Sequence, residues 1–165
     1  MFKGFGSIGN LFGVSGPQLN YEIGEQYTRS FGSWTHYRGT SKEDKAPVSI
    51  FKFVGKLEED KVRVATARNG AKRLKTIRHP NVLHLKESLE IENSGELTIY
   101  VVTEPVMPLE EHLKDLPAGT HQRDEYFALG LRQVATAISF LSNDCKLVHG
   151  GISMAAVVVT YRLDW

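Results

Sequence analysis

Few residues in this chain have the type and setting to do chemistry. Gly32 closes the stretch Tyr27-Thr28-Arg29-Ser30-Phe31-Gly32. Glycine there would let backbone approach an anion, and Arg29 could contact one. Lys52 is a lone cation inside the apolar run Val48 to Phe53. Strand side chains alternate faces, so its plain reading is a solvated strand lysine. His149 opens the loop His149-Gly150-Gly151-Ile152-Ser153, where an imidazole could move a proton or serve only as a structural hydrogen-bonding residue. Lys72, Arg73, Lys75, Arg78 and His79 form a basic cluster. Cations are favoured at a helix C-terminus, so this cluster reads first as a solvated face and second as an anionic partner site. His, Cys, Asp and Glu show no metal-site spacing. The lone Cys145 has no internal disulfide partner.

The elements that must position these groups follow from composition and periodicity. The 165 residues carry 20 Lys plus Arg against 19 Asp plus Glu, so bulk charge gives no reason to expect nucleic acid or an anionic membrane. A hydrophobic fraction of 41% with 24% charged residues is that of a globular domain. No secretory signal is present, no apolar run approaches the roughly 18 residues of a membrane span, and Phe2 stands where myristoylation needs glycine. A cytoplasmic location is the expectation. Residues 1–20, rich in Gly and Phe, read as a flexible arm. Strands are expected at Tyr21 to Glu25, Trp34 to Arg38, Val48 to Phe53, Val82 to Glu90 and Leu97 to Glu104. Helical spacing covers Glu58 to Thr76, Leu109 to Lys114 and a largely buried Asp124 to Asn143, followed by a short apolar strand at Ala155 to Val159.

That order of elements resembles the protein kinase fold. Local anchors fix the register: Ser30-Phe31-Gly32, Val48-Ser49-Ile50, His79-Pro80-Asn81 and Leu147-Val148-His149. Within kinases the chain is most similar to the SCY1-like family, through Pro47-Val48-Ser49-Ile50-Phe51, Leu74-Lys75-Thr76-Ile77-Arg78-His79-Pro80-Asn81, Asn143-Asp144-Cys145 and Met154-Ala155-Ala156-Val157. The resemblance implies an α+β, kinase-like fold. A five-stranded antiparallel sheet with one helix would span 21–104, a hinge 105–108, and the beginning of a helical lobe 109–165, the chain ending inside the kinase-like domain.

Phosphoryl transfer is mostly positioning and charge neutralisation, and the resemblance implies that its agents are gone. The three glycine-loop positions are Tyr27, Arg29 and Gly32, with Tyr27 and Arg29 filling space over the nucleotide site. Phe51 stands for the third-strand lysine, Gly70 for its glutamate partner, Gly151 for the catalytic base and Ala156 for a metal-binding asparagine. The second metal ligand would fall after Trp165, and Asp164 reads as a turn residue. Gly32, Phe51, Thr103, Glu104 and Val106 would line a vestigial nucleotide cleft, whose hinge backbone could still hold an adenine. The implied function is a noncatalytic pseudokinase scaffold in vesicle trafficking, cytoplasmic and peripheral at Golgi membranes. Its expected partners are proteins, coat proteins or transfer RNA machinery, without direct DNA binding or a transmembrane segment. No metal or cofactor is expected. The alternatives are an atypical kinase recruiting Lys52 or Arg38, and a nucleotide-sensing switch that binds ATP weakly at the hinge.

Overall fold

The structure, a computed structural model, describes residues 18–165 except Ser30 and Ala118. The expected arm therefore lies outside the described residues apart from its last three. Of these, Leu19 packs on Val48, Ile50 and Val102, and the Asn20 amide donates to Glu87 at 3.1 Å.

Five strands, β1 (Tyr21–Gln26), β2 (Trp34–Ser41), β3 (Pro47–Lys56), β4 (Leu85–Asn93) and β5 (Glu96–Thr103), form one antiparallel sheet in the order β1-β2-β3-β5-β4. Alternation along β3 divides its neighbours. Phe51 and Phe53 face one layer with Leu97, Ile99 and Val101, while Val48 and Ile50 face the other with Val102. The β4–β5 hairpin turns through Ser94 and Gly95, both at positive φ (50° and 82°), the conformation that a tight two-residue hairpin requires.

Helix α1 (Lys61–Leu74) covers the Phe53 face with Val64, Ala67 and Ala71, all buried. Fully burying a side chain such as Phe53 or Leu97 stabilises by about 1.5–3 kcal/mol, so this layer anchors the sheet. The helix is shorter than the expected Glu58 to Thr76. The Asp60 carboxylate accepts the Lys56 backbone N–H at 3.0 Å, holding the chain in a turn until Lys61. Strand β4 starts three residues later than expected because local bonds occupy the preceding segment: Val82 N–H to His79 C=O at 3.1 Å and His84 N–H to the Glu104 carboxylate at 2.8 Å.

The second part comprises β6 (Val106–Pro108), α2 (Leu109–Lys114), α3 (His121–Asn143), a 3-10 turn (Met154–Ala156) and β7 (Val158–Thr160), which pairs antiparallel with β6. The expected linker at 105–108 is thus itself a strand. The apolar run at Ala155 to Val159 is a turn followed by a strand. Helix α3 starts earlier than expected because Thr120 caps it, its hydroxyl accepting the Arg123 N–H at 3.3 Å.

The expectation that α3 is largely buried is corrected. Only Gly130, Ala137 and Leu141 are fully buried along it, and Leu129 and Leu131 are 50% and 62% exposed. Its packed side is built around Leu109, Leu113, Val159 and Trp165, with Tyr126, Phe127 and Val134 against them. The Trp165 ring lies directly on the α3 backbone at Gly130, so close that a Cβ there would collide with it. No helix among the described residues is long and apolar enough to cross a membrane.

Candidate functional site: the cleft between sheet and helices

Between the sheet and α3 lies a cleft of about 860 Å³. It gathers most of the residues singled out from the sequence. Phe51 from β3, Gly70 from α1, Glu104 and Val106 from the hinge, and Gly151 and Ala156 from the loop after α3 all line it. A Cβ at Gly70 or Gly151 would meet nothing within 4 Å, so both positions open onto free space. Gly32 and Thr103 lie outside the lining. Gly32 (φ +55°) forms the turn that joins Phe31 to Trp34, whose backbones exchange bonds of 3.1 and 2.8 Å. Thr103 is fully buried, its hydroxyl donating to the Glu104 carbonyl at 2.9 Å.

The roof of the cleft is a column of three rings. His36 on β2 pairs across the strands with Phe51 and stacks on it, with centroids 4.3 Å apart and planes at 16°. On the other side Tyr27 lies 4.4 Å from His36, and the Arg38 guanidinium covers the Tyr27 ring at 4.4 Å. Below the column, Ser49 clasps the hinge. Its hydroxyl donates to the Val106 carbonyl at 2.9 Å and accepts the Val106 N–H at 3.0 Å. The Tyr27 hydroxyl donates to the same carbonyl at 3.3 Å. Ser49 has one hydrogen and two lone pairs. Its second lone pair is therefore left for the His36 Nε2–H, 3.0 Å away, which fixes that tautomer. The Ser49 hydroxyl thus has all three of its hydrogen-bonding positions filled.

Electrostatics agree with this geometry. His36 is 3% exposed. Loss of hydration, reinforced by the Arg38 cation, lowers its pKa from 6.5 to about 4, so the ring is neutral at neutral pH. Burial pushes the Tyr27 phenol up despite Arg38. Neither His36 nor Ser49 was singled out from the sequence. The usable signal was a serine inside the apolar strand run Val48-Ser49-Ile50, since a buried hydroxyl needs partners.

Of Lys52, Arg38 and Arg29, only Arg29 lines the cleft. Lys52 points to the opposite face of the sheet, its ammonium 5.8 Å from the Tyr100 centroid. Arg38 pairs with Glu25 at 3.1 Å. Arg29 lines the cleft and pairs with Glu110 of α2 at 2.9 Å, bridging the two parts of the fold. His149 lies in the cleft lining. It is exposed, and its one hydrogen bond accepts the Gly151 N–H at 3.4 Å. Asp164 sits where the chain turns back after β7, accepting from Thr160 N–H at 3.0 Å and from Gln133 at 2.9 Å. Among the described residues no His, Cys, Asp or Glu cluster could hold a metal ion.

A five-stranded antiparallel sheet with one packed helix, joined by a short hinge to a helical part across a cleft, defines a protein kinase-like domain. A crystal structure of Cex1p shares the fold, with a TM-score of 0.70 at 23% identity over 94% of this chain and 27% of that one. A scan against protein-family models finds no match. Over 88% of its length the chain is 42% identical to the probable inactive serine/threonine-protein kinase scy1 of Dictyostelium discoideum, covering 17% of that protein. SCY1-like protein 2 of Mus musculus is 26% identical over 81% of the chain and 16% of its own length. The chain belongs to the SCY1-like family and spans about a sixth of the length of these curated relatives.

Proposed function

We propose that this chain is a catalytically silent, kinase-like module that works by binding partners, with a nucleotide site closed from within. The observation that carries this reading is the Ser49 clasp beneath the Tyr27–His36–Phe51 column. An adenine held by the hinge would need free backbone polar atoms. The Val106 N–H is taken by Ser49, and both lone pairs of the Val106 carbonyl are engaged, by Ser49 and Tyr27. Phosphates fare no better. Where an ammonium would hold them the protein stacks Phe51 on a neutral imidazole. Gly70, Gly151 and Ala156 offer no group to orient a lysine, accept a proton or bind magnesium. Lys52 and Arg38, the cations an atypical kinase would recruit, lie away from the cleft.

The inactive-kinase name of the Dictyostelium relative supports the same reading. Family resemblance extends it to a scaffold in intracellular vesicle trafficking, cytoplasmic and peripheral at Golgi membranes, with coat proteins or transfer RNA machinery as partners. The test is a thermal melt with ATP, with and without magnesium, beside an assay of transfer to a generic protein. A melt unmoved by nucleotide and no transfer are expected. A magnesium-dependent rise in melting temperature together with transfer would overturn the reading.

A further inference from the structure

Closing the adenine end does not close the cleft. The space that remains is walled by apolar side chains, Phe31, Trp34 and Phe51 from the sheet and Leu74 and Ile77 from the end of α1 and the loop after it. Its mouth is different. Arg73 at the end of α1 and Lys146 after α3 stand on its rim, and neither has an acidic group within ion-pairing distance among the described residues. Arg29, which also lines the cleft, is neutralised by Glu110 at 2.9 Å. In a chain of net charge +1, Arg73 and Lys146 thus bring two cations without carboxylate partners to the cleft lining. Among the described residues lining the cavity the only acid is Glu104, whose carboxylate is held by the His84 N–H at 2.8 Å. Beside the cations, Val148 is 92% and Ile152 53% exposed.

An apolar slot with a cationic rim selects an occupant with the opposite arrangement. We infer that the cleft docks a short acidic peptide segment that inserts one bulky apolar side chain between Phe51 and Leu74 while its carboxylates meet Arg73 and Lys146. Such a segment matches both halves of the site: apolar burial supplies the anchor, and complementary charge supplies orientation and encounter rate. The inference rests on the reading of the cleft as closed to nucleotide, and it names what that cleft takes instead.

The protein carries two tryptophans, Trp34 and Trp165, and both line the cavity, so entry of a side chain changes its intrinsic fluorescence. The probe is a fluorescein-labelled pentapeptide with one phenylalanine flanked by aspartates and glutamates, read by anisotropy and, unlabelled, by tryptophan emission. Saturable binding is expected, lost when the phenylalanine becomes alanine or the acids become lysines. The double variant Arg73→Glu, Lys146→Glu weakens it at least about tenfold. Gly70→Leu abolishes it while raising the melting temperature, because the added side chain enters open space and leucine favours the helix. Equal binding of the lysine peptide, full binding by Gly70→Leu, or no binding by the native chain overturns the proposal. So does a preference for anionic phosphatidylserine vesicles over the peptide, or self-association that the same variants abolish. The two readings fail separately. ATP that raises the melting temperature sinks the closed nucleotide site, whereas a silent peptide with silent ATP sinks only the docking slot.

Discussion

Acidification tests the buried column directly, because His36 must stay neutral to keep it. The ring ionises near 6.5 when solvated and near 4 in the fold. A base whose folded pKa is depressed contributes stability that is complete above its unfolded pKa and is lost as pH falls from there toward the folded value. The window is therefore pH 6.5 down to about 4. Each pH unit inside it costs about 1.4 kcal/mol. The loss is about 2 kcal/mol at pH 5 and approaches about 3 kcal/mol near pH 4. For a chain of this size, 2 kcal/mol is a fall of roughly 4–8 °C in melting temperature. Carboxylates held low by hydrogen bonds, Asp60 by the Lys56 N–H and Asp44 by Ser41, start from 3.8 and contribute their loss below this window. The assay is a series of thermal melts from pH 7.5 to 4.5 on the native chain and on His36→Phe, which keeps a ring between Tyr27 and Phe51 but cannot be protonated. The native melting temperature should fall steeply below pH 6.5, and the variant's slope should be at least halved. Equal slopes in the two proteins would refute the placement of a neutral imidazole in this column.

Other outcomes follow from the same contacts. Ser49→Ala leaves the Val106 N–H and the His36 Nε2–H without their partner and should cost about 2–4 kcal/mol in urea denaturation; a loss under about 0.5 kcal/mol would show that the clasp is not formed. Gly130→Ala puts a methyl group into the Trp165 ring, so it should cost about 1–3 kcal/mol and shift tryptophan emission to the red as the ring undocks. Arg29→Ala removes an ion pair whose arginine is 62% exposed and should cost under about 1 kcal/mol, less in high salt. The combined variant Phe51→Lys, Gly70→Glu, Gly151→Asp, Ala156→Asn should transfer no phosphate. Its hinge atoms remain occupied, and the new lysine enters a stacked ring column; turnover would contradict the proposed function.

What the sequence revealed, and what it hid, divides along physical lines. Period-two alternation made all five strands of the sheet visible, and helical spacing placed α2 at Leu109–Lys114 to the residue. Boundaries failed where a side chain intervenes in backbone bonding, as Asp60 does before α1 and Glu104 before β4. Periodicity cannot see a carboxylate that arrives from 20 residues away. The burial of α3 failed for another reason: apolar spacing reports what a face could bury, whereas the partners present decide what it does bury. At the site the two failures meet. Register within the family resemblance pointed to Phe51, Gly70, Gly151 and Ala156 as positions without catalytic groups and to Tyr27 and Arg29 as side chains filling space over the cleft. In the structure His36 stacks on Phe51 and Ser49 engages Val106, and neither role was legible because each acts through contacts with distant elements. At Phe51 an ammonium would lie against a ring that burial, reinforced by Arg38, keeps neutral, whereas an apolar ring completes the stack. A lysine at this position therefore works against the packing, and under the proposed function the space left to a partner is the apolar cleft lined by Arg73 and Lys146.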